Sequence, residues 1–459
     1  MSGSRFRKGC LLVIEGLLGL LCGVLAVRIR FADEALEQLT TGQGWLKLLL
    51  FALIVQGAFY LFDLYDFQMI RRWSALTLRL AQAVGLAAIT LALIFYALPW
   101  MMTGRGVFLL SLLLMTLLMV SWRLVARWLL GHPRLVERVL ILGTDENAVE
   151  LARETLERRE AGYQIVGFVG DDAKLVGRSL LNPCVVGVFD ELETLIQRHQ
   201  AERLVVALSD RRGRLPLEAL LRLRLSNEIE IEEAASFYER LTGKLSTETL
   251  RPAWLIFSGG TRGLRIYQRA RRALDVACAL GGLLLASPLM LLVALAIRLD
   301  SRGPVFYTQE RVGLHNRIFR IIKFRSMRTD AEAAGPVWAG QADARVTRVG
   351  RIIRKLRIDE LPQFINILRG EMSLIGPRPE RPVFVEQLAR EIPWYAQRHL
   401  VRPGLTGWAQ VCFPYGASVE DAKEKHKYDL YYIRNQSPLL DGLIVLETAR
   451  LVLFGRNAR

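Results

Sequence analysis

Four long apolar segments within the first 130 residues constrain the fold more than any other feature of the sequence. A helix needs about 20 mostly apolar residues to cross the hydrocarbon core of a bilayer. The segments lie at about 9–27, 45–62, 75–98 and 107–122. With 52% hydrophobic residues, the chain is too apolar for an ordinary soluble protein. The sequence therefore predicts a domain of four transmembrane helices over residues 1–130.

The cations that flank these segments indicate how the helices are oriented. They are Arg5, Arg7 and Lys8 before the first segment, Arg71 and Arg72 between the second and third, and Arg123, Arg127, Arg134 and Arg138 after the fourth. Loops rich in lysine and arginine stay on the cytoplasmic side of a membrane. We therefore expect the N-terminus and the whole chain after the fourth helix to lie on the cytoplasmic face.

Residues 136–243 alternate short β-branched runs with helical patterns, which is typical of a parallel α/β sheet. The turn after the first candidate strand contains Gly143 but lacks the second and third glycines of a dinucleotide fingerprint. Asp145 and Glu146 stand where a pyrophosphate would lie. We predict a Rossmann-like cytoplasmic domain that is structural or regulatory and does not catalyse. Residues 244–265 are predicted to form a linker.

A fifth apolar run, 274–300, is long enough to cross the membrane but carries two signs of a different path. Cations flank both of its ends, whereas a crossing helix normally has one cation-poor end. Ser287 and Pro288 lie mid-run, where proline bends a helix and the serine hydroxyl can bond a freed carbonyl. We predict a re-entrant, kinked helix that returns to the cytoplasmic face. A proline-kinked fifth transmembrane helix is the alternative.

Cations become frequent after this run, and two of them lie in one predicted strand. Lys323 and Arg325 alternate around Phe324, so both would face the same side. Such a pair next to a membrane suits a diphosphate, and a lipid-headgroup patch is the plainer alternative. Arginines then recur at every third residue from Arg345 to Arg357, which is typical of an amphipathic helix on an anionic bilayer. Only Arg357 is close enough to the following acidic pair for a role in substrate binding.

That acidic pair is Asp359 and Glu360, at the predicted start of a helix. One interpretation of Asp359 is purely structural, as the N-cap of that helix. The helix dipole and nearby arginines would also hold Asp359 ionised, as a nucleophile that attacks phosphorus must be. Glu360 could help to hold a divalent cation, since Mg²⁺ is commonly bound by carboxylates and substrate phosphates. Arg378, between two prolines, presents a guanidinium suited to bidentate phosphate contact.

The motifs DELPQ, LRGEMSLIGPRP and RPGLTGWAQV, in this order, resemble the bacterial sugar transferase family of monotopic phosphoglycosyl transferases. The resemblance covers about residues 266–459, and the four helices and Rossmann-like domain are similar to the front half of its large members. It implies transfer of a sugar 1-phosphate from a UDP-sugar to undecaprenyl phosphate, with Mg²⁺, giving undecaprenyl diphosphate sugar and UMP. PRPERPVFV and YGAS are similar to a subgroup found with exosortase-linked exopolysaccharide systems.

The resemblance also implies roles for particular residues. Asp359 becomes the nucleophile of a covalent aspartyl-phosphosugar intermediate, and Glu360 becomes its acidic partner at the metal. Ser287 and Pro288 become the break in the re-entrant helix. The implied substrate-binding residues are Lys323, Arg325, Arg357, Arg378 and Arg402.

Together these features predict a membrane α plus α/β protein with a mainly helical monotopic catalytic domain over 266–459. The expected location is the bacterial inner membrane, with the catalytic domain on its cytoplasmic face. The expected partners are a UDP-sugar, undecaprenyl phosphate and membrane lipid, and the sequence leaves a homodimer open.

Two other function classes are less well supported by the sequence. The net charge of +16 does not indicate nucleic acid, because the cations cluster at predicted membrane edges and not along an aromatic-lined groove. A membrane-tethered nucleotide-sugar epimerase or dehydratase is the alternative enzyme. That chemistry needs a Tyr-x-x-x-Lys pair, and no tyrosine in the sequence has a lysine four residues on.

Overall fold

The computed structural model of the chain forms two compact units, Met1–Thr242 and Gly243–Arg459. The structure describes residues 3–40, 44–62, 64, 73–102, 104–130, 136–158, 161–208, 215–226, 229–246, 262–331, 345–413 and 418–454. The first unit contains the N-terminal helices and an α/β sheet. The second contains the acidic pair and the GPRP and GLTGWAQ motifs.

The N-terminal part of the first unit is helical. Its helices are α1 Gly3–Phe31, α2 Ala35–Thr40, α3 Gly44–Leu61, α4 Trp73–Ala97 and α5 Arg105–Leu130. Helices α1, α3, α4 and α5 share one core, in which Phe59 and Met119 are fully buried. Leu17, Leu93 and Leu109 are more than half exposed on the outer faces. Helices that are apolar on both inner and outer faces are typical of a bundle in lipid.

The prediction of four N-terminal transmembrane helices is not confirmed. Among the described residues, two helices in this part are long and apolar enough to cross a membrane, Gly44–Leu61 and Arg79–Tyr96. The apolar stretch of α5 among the described residues, Gly106–Trp122, is shorter. Helix α1 carries Glu15 within its apolar stretch. Arg71 and Arg72, which contributed to the predicted orientation, lie outside the described residues.

The remainder of the first unit is a parallel α/β sheet, as predicted. Its elements are β1 Glu137–Leu142, α6 Glu146–Glu157, β2 Tyr163–Gly170, β3 Val185–Val188, α7 Leu192–His199, β4 Arg203–Val206, α8 Leu217–Ser226, β5 Glu230–Glu233 and α9 Ala234–Thr242. The strand order is β3-β2-β1-β4-β5, and all neighbouring strands are parallel. Val139 and Ile141 of β1 pack into one core, whereas Leu140 and Leu142 pack into another on the opposite face. This is a Rossmann-like, doubly wound arrangement.

The turn after β1 has a backbone that requires glycine and a helix cap that is acidic. Gly143 has φ of +135° and lies against the backbone of Ala207. The Asp145 carboxylate accepts a hydrogen bond from the Ala148 N–H at 3.3 Å and so caps α6. An acidic group therefore lies at the helix N-terminus that would otherwise receive a phosphate. That this domain does not catalyse stays a prediction.

The second unit is mainly helical, with two small pairs of strands. Its elements are α10 Arg262–Asp300, β6 Phe306–Val312, β7 Ile318–Phe324, α11 Arg348–Lys355, α12 Gln363–Arg369, β8 Ser373–Ile375, α13 Pro382–Glu391, β9 Gly404–Thr406, α14 Trp408–Cys412, α15 Val419–Arg434 and α16 Pro438–Phe454. Strands β6 and β7 form an antiparallel hairpin, and β8 and β9 pair in parallel. The acidic pair and Arg378 lie in the connections between these short elements.

Helix α10 contains the fifth apolar run and continues through Pro288. The Ser287 hydroxyl donates a hydrogen bond to the Leu284 carbonyl at 2.8 Å. Leu284 is four residues before the proline, so its carbonyl has lost the usual helical N–H donor. The predicted compensation by serine is therefore present, but the predicted break is not confirmed, because helical structure continues through both residues. Leu284 and Leu285 are 76% and 83% exposed.

Both ends of α10 pack against the same domain. Near the N-terminal end, Arg272 donates a hydrogen bond to the Ile367 carbonyl of α12 at 2.6 Å. Near the C-terminal end, Ile297 is buried with Phe324 of β7 and Ile353 of α11. The apolar middle of α10 is thus left exposed between two attached ends.

Candidate active site

The acidic pair lies in a short 3₁₀ turn, Ile358–Glu360, between α11 and α12. Arg357 enters this turn with φ of +58°, a left-handed conformation that residues with side chains seldom adopt. The Glu360 N–H donates to the Arg357 carbonyl at 3.2 Å. Asp359 and Glu360 are each 9% exposed. The turn therefore brings two adjacent carboxylates into the interior of the second unit.

Glu360 is surrounded by a cationic cluster, which consists of Lys323, Arg357 and Arg378. Its Oε1 accepts hydrogen bonds from Arg378 Nη2 at 2.7 Å and Lys323 Nζ at 3.3 Å, and it lies 3.6 Å from Arg357 Nη1. Burial alone would raise the pKa of Glu360, but the charges of Arg378, Lys323 and Arg357 outweigh it and hold that pKa below its usual range. Glu360 is therefore an ionised carboxylate committed to the cluster.

Asp359 is in the opposite situation. Among the described residues, its carboxylate has no hydrogen-bond or ion-pair partner. Burial raises the pKa of Asp359, the neighbouring Glu360 charge raises it further, and the cationic cluster offsets only part of this effect. The predicted stabilisation of ionised Asp359 by nearby cations is therefore present, but burial and the Glu360 charge outweigh it.

Asp359 is not an N-cap either. Helix α12 begins at Gln363, and the residue before it, Pro362, makes no side-chain cap bond. The helix therefore starts further along the chain than predicted, and the structural alternative for Asp359 is not found. A buried carboxylate that lacks hydrogen bonds is a strong nucleophile once it is ionised.

Lys323 is fixed beside the acidic turn by a buried asparagine of α12. Asn366 is 0% exposed; its Oδ1 accepts from the Ile322 N–H at 3.0 Å, and its Nδ2 donates to the Arg320 carbonyl at 2.8 Å. Because Ile322 adjoins Lys323, this clamp sets the position of the lysine. Burial lowers the pKa of Lys323, and the Glu360 charge opposes that effect. Asn366 is not among the predicted site residues, because its only local signal is a polar residue within an apolar helical stretch.

The loop that carries Arg378 is held by hydrogen bonds from three other segments. The Pro377 carbonyl accepts from the Gly404 N–H, that of Arg378 from Arg398 Nη2, that of Pro379 from Arg311 Nη1 and that of Glu380 from the Val312 N–H, each at 2.9 Å. Gly376 lies so close to the Arg402 carbonyl that a Cβ would collide with it. The prolines restrict the backbone of this loop, and the hydrogen bonds to four consecutive carbonyls restrict it further.

The Arg378 guanidinium has one partner that the sequence did not single out. Nη2 bonds Glu360, and Nη1 donates to Gln410 Oε1 at 3.0 Å. The Arg378 side chain is still 37% exposed, so it can reach a ligand. Gln410 lies within the GLTGWAQ motif, but only the fold brings it beside Arg378, 32 residues earlier in the chain.

Arg325 does not belong to the cationic cluster. It is 5% exposed and donates hydrogen bonds to the Ser301 carbonyl at 2.7 Å and the Ser301 hydroxyl at 2.9 Å. The expectation that Lys323 and Arg325 face a common ligand is wrong, because β7 ends at Phe324 and strand alternation stops there.

Arg402 is also outside the cluster. Its Nε donates to the Gly370 carbonyl at 3.1 Å, at the C-terminal end of α12. Arg325 and Arg402 thus bond carbonyl groups of the protein itself. The structure brings together the other three predicted substrate-binding residues, Lys323, Arg357 and Arg378.

The residues around the acidic pair fit a metal only if a ligand supplies further oxygens. No group of three or more acidic, histidine or cysteine side chains that could hold a metal occurs among the described residues. The cationic contacts of Glu360 fall on Oε1, which leaves its Oε2 and the Asp359 carboxylate as donors. Mg²⁺ commonly takes one or two carboxylates and completes its shell with water and substrate phosphates. The donor set fits Mg²⁺ of that kind.

Apolar helices, a Rossmann-like sheet and a cation-rich site beside an exposed apolar helix define a membrane protein suited to anionic ligands. Comparison with known families agrees with this class. The bacterial sugar transferase model matches residues 266–455, and a model described as a CoA-binding domain matches residues 60–224. Neither describes an epimerase or dehydratase, so that alternative gains no support.

Individual relatives extend the comparison. The UDP-N-acetylgalactosamine-undecaprenyl-phosphate N-acetylgalactosaminephosphotransferase of Aeromonas hydrophila is 51% identical over 48% of this chain and 52% of its own length. The undecaprenyl-phosphate glucose phosphotransferase of Komagataeibacter xylinus is 35% identical over 73% of this chain and 63% of its own length.

A third relative is matched over most of its length. The UDP-glucose:undecaprenyl-phosphate glucose-1-phosphate transferase of Xanthomonas campestris pv. campestris is 32% identical over 74% of this chain and 72% of its own length. The chain belongs to the bacterial sugar transferase family. It spans only about half to two thirds of the first two relatives, at 52% and 63%. The exosortase-linked subgroup stays a prediction.

Proposed function

We propose that this protein transfers a sugar 1-phosphate from a UDP-sugar to undecaprenyl phosphate, giving undecaprenyl diphosphate sugar and UMP. The relatives are named for transfers of this kind. The observation that carries the proposal is the unequal state of the two neighbouring carboxylates. Glu360 is bonded by the cationic cluster, whereas Asp359 is buried and has no partner among the described residues. The cationic cluster around Glu360 suits binding of a diphosphate, and the Asp359 carboxylate suits attack on phosphorus.

In the first step, an oxygen of the Asp359 carboxylate attacks the β-phosphorus of the UDP-sugar. The bond from that phosphorus to the oxygen bridging the α-phosphate breaks, and UMP leaves with this oxygen and its electron pair. The sugar phosphate remains on Asp359 as an acyl phosphate. Lys323, Arg357 and Arg378 offset the repulsion between the carboxylate and the diphosphate.

In the second step, a phosphate oxygen of undecaprenyl phosphate attacks the same phosphorus. The bond to Asp359 breaks, the carboxylate is regenerated and a diphosphate linkage forms. Because one carboxylate serves both steps, UMP leaves before the lipid reacts, and the kinetics are ping-pong.

Mg²⁺ is the proposed cofactor, with Asp359 and Glu360 Oε2 as its protein ligands. When bound together with the UDP-sugar, it supplies positive charge that offsets the charge of the diphosphate. Since the protein offers few ligands, we expect Mg²⁺ to bind weakly without the nucleotide.

We propose a re-entrant path for α10, with the catalytic domain on the cytoplasmic face of the bacterial inner membrane. Arg272 and Ile297, near opposite ends of α10, both contact this domain. A helix that crossed the bilayer would carry one of these ends to the far side, away from the domain. The exposed leucines at 284 and 285 would enter the bilayer between the two attached ends.

Relatives are named for N-acetylgalactosamine and for glucose, and one that is 41% identical is an exopolysaccharide production protein of Rhizobium leguminosarum bv. phaseoli. We propose initiation of an exopolysaccharide or O-antigen type glycan.

A panel of UDP-sugars tests the proposed function. The purified full chain in nanodiscs, with Mg²⁺ and undecaprenyl phosphate, should release UMP continuously from at least one of them. Without the lipid, the same UDP-sugar should give one equivalent of UMP per protein and then stop. Failure to release UMP from every UDP-sugar would contradict the proposal.

A further inference from the structure

Residues Gly243–Ser246, which begin the second unit, form a strap seated on the catalytic domain. The Leu245 N–H donates to the Lys427 carbonyl of α15 at 3.1 Å. The Leu245 side chain is 6% exposed and belongs to one core cluster with Trp408 and Tyr431. The strap is therefore part of the folded domain.

Lys244 adds a charged attachment to the strap. It is buried, forms an ion pair with Glu424, and its ammonium lies 5.5 Å from the centre of the Tyr428 ring. A buried lysine is costly unless it is paired, so this contact favours one seated position. Lys244 belongs to the predicted linker, 244–265. Residues 247–261 of that linker lie outside the described residues.

The strap reaches the helix that carries Gln410. Trp408 Nε1 donates to the Gly243 carbonyl at 2.9 Å, in a buried position. Trp408 begins α14, and two residues later Gln410 accepts the hydrogen bond from Arg378 Nη1 at 3.0 Å. Short helix α14 is therefore bonded to the strap through one residue and to Arg378 through another.

We propose that Gln410 is a positioning residue for Arg378, and that the strap sets the position of the helix that carries Gln410. With Glu360 as its only partner, the guanidinium could turn and place two of its nitrogens on that carboxylate. The second acceptor fixes the plane of the guanidinium and keeps it directed toward a diphosphate. This inference rests on the proposed function, because it assigns Arg378 to phosphate binding.

The test uses full-length variants and two readouts, the Kd for UDP by calorimetry and the KM and kcat for UMP release. Gln410→Met removes the acceptor at similar size and should raise both Kd and KM about three- to tenfold, with a smaller change in kcat. Trp408→Phe keeps an aromatic ring without the donor and should raise both about two- to threefold. Both substitutions act through α14. The increase in Kd and KM of the double variant should therefore be smaller than the product of the increases in the two single variants.

Thr448→Val is the matched control. It removes the 2.6 Å hydrogen bond between the Thr406 and Thr448 hydroxyls of the same domain and should leave Kd and KM unchanged. If Trp408→Phe folds poorly, Lys244→Met replaces it in the test. That variant disturbs the strap at a second point and should also raise Kd.

The outcomes separate this inference from the proposed function. Unchanged Kd and KM in folded Gln410→Met would overturn the proposed role of Gln410. If the Kd and KM increases of the two single variants simply multiply in the double variant, the proposed role of the strap is overturned. A wild type that binds UDP but releases no UMP contradicts the proposed function alone, since the Kd values still decide the inference.

Discussion

Each unit contains a buried charge cluster, and the two clusters differ in whether they are complete. In the α/β domain, Arg203 is 4% exposed, and its Nε, Nη1 and Nη2 bond Glu137, Glu232 and Glu230 respectively. Arg240 also bonds Glu232. The carboxylates come from β1 and β5, the parallel strands on either side of the β4 strand that carries Arg203, so the sheet itself assembles the cluster. Every guanidinium nitrogen of Arg203 has a partner, and the cluster can only hold strands together.

The cluster in the catalytic domain is not closed in this way. Three cations bond or approach one carboxylate, Glu360, while the neighbouring Asp359 has no partner among the residues described. Cations exceed carboxylates here, whereas carboxylates exceed cations around Arg203. A self-satisfied cluster stabilises a fold, and one with surplus positive charge and a free carboxylate is completed by an anionic ligand.

Asp359→Asn should have the largest effect on activity. Loss of the nucleophilic charge should lower UMP release by at least about 10³-fold. Stability should change in the opposite direction. Because the pKa of Asp359 is raised in the folded protein, its neutral form favours folding and this contribution is lost as pH rises through that pKa. The neutral asparagine should therefore raise the thermal midpoint at neutral pH; an active or destabilised variant would argue against the free carboxylate.

Glu360→Gln should reduce both activity and stability. UMP release should fall about 10²-fold, because three cations lose the charge that orients them. The thermal midpoint should fall at neutral pH, since the pKa of Glu360 is depressed and its ionised form stabilises the fold. Lowering the pH should narrow the stability difference between wild type and variant. A variant as stable as wild type at neutral pH would show that the cluster is not held by Glu360.

The pH profile of UMP release should report the ionisation of Asp359. Asp359 must be ionised to attack, and its pKa is raised by burial. The acid limb of kcat/KM should therefore lie above the ordinary aspartate value of about 3.9 and fall about tenfold per pH unit below it. An acid limb at or below that ordinary value would contradict burial without a partner.

Arg203→Met provides the complementary test in the closed cluster. Removing the cation leaves Glu137 and Glu230 without their partner and Glu232 with Arg240 alone, which should lower the stability of the α/β domain by about 3 kcal/mol. UMP release per folded molecule should not change. Hydrogen exchange of β1, β4 and β5 measures the first effect, and a fall in specific activity would mean that this cluster does more than stabilise the sheet.

The contrast between the clusters explains what could be predicted from sequence. Local patterns identified the parallel sheet, the acidic pair and Arg378, because strand periodicity and motif spacing are local properties. The lack of a partner for Asp359 depends on the left-handed backbone conformation of Arg357, which no sequence pattern indicates. Arg325 was misassigned because the strand ends one residue before it.

Other parts of the site depend on contacts between distant segments. Asn366 bonds β7 across 44 and 46 residues of sequence, and Gln410 bonds Arg378 across 32. Trp408 bonds the strap across 165 residues. Such pairs form only when the domain folds, so each partner looks like an ordinary polar or aromatic residue in the sequence.

The mass of the intact protein tests the central claim most directly. Wild type, Glu360→Gln and Asp359→Asn are incubated with the preferred UDP-sugar and Mg²⁺ without lipid acceptor. Wild type should gain the mass of one sugar phosphate, which undecaprenyl phosphate then removes, and Asp359→Asn should gain none. An unmodified wild type together with an active Asp359→Asn variant and ternary-complex kinetics would contradict the account.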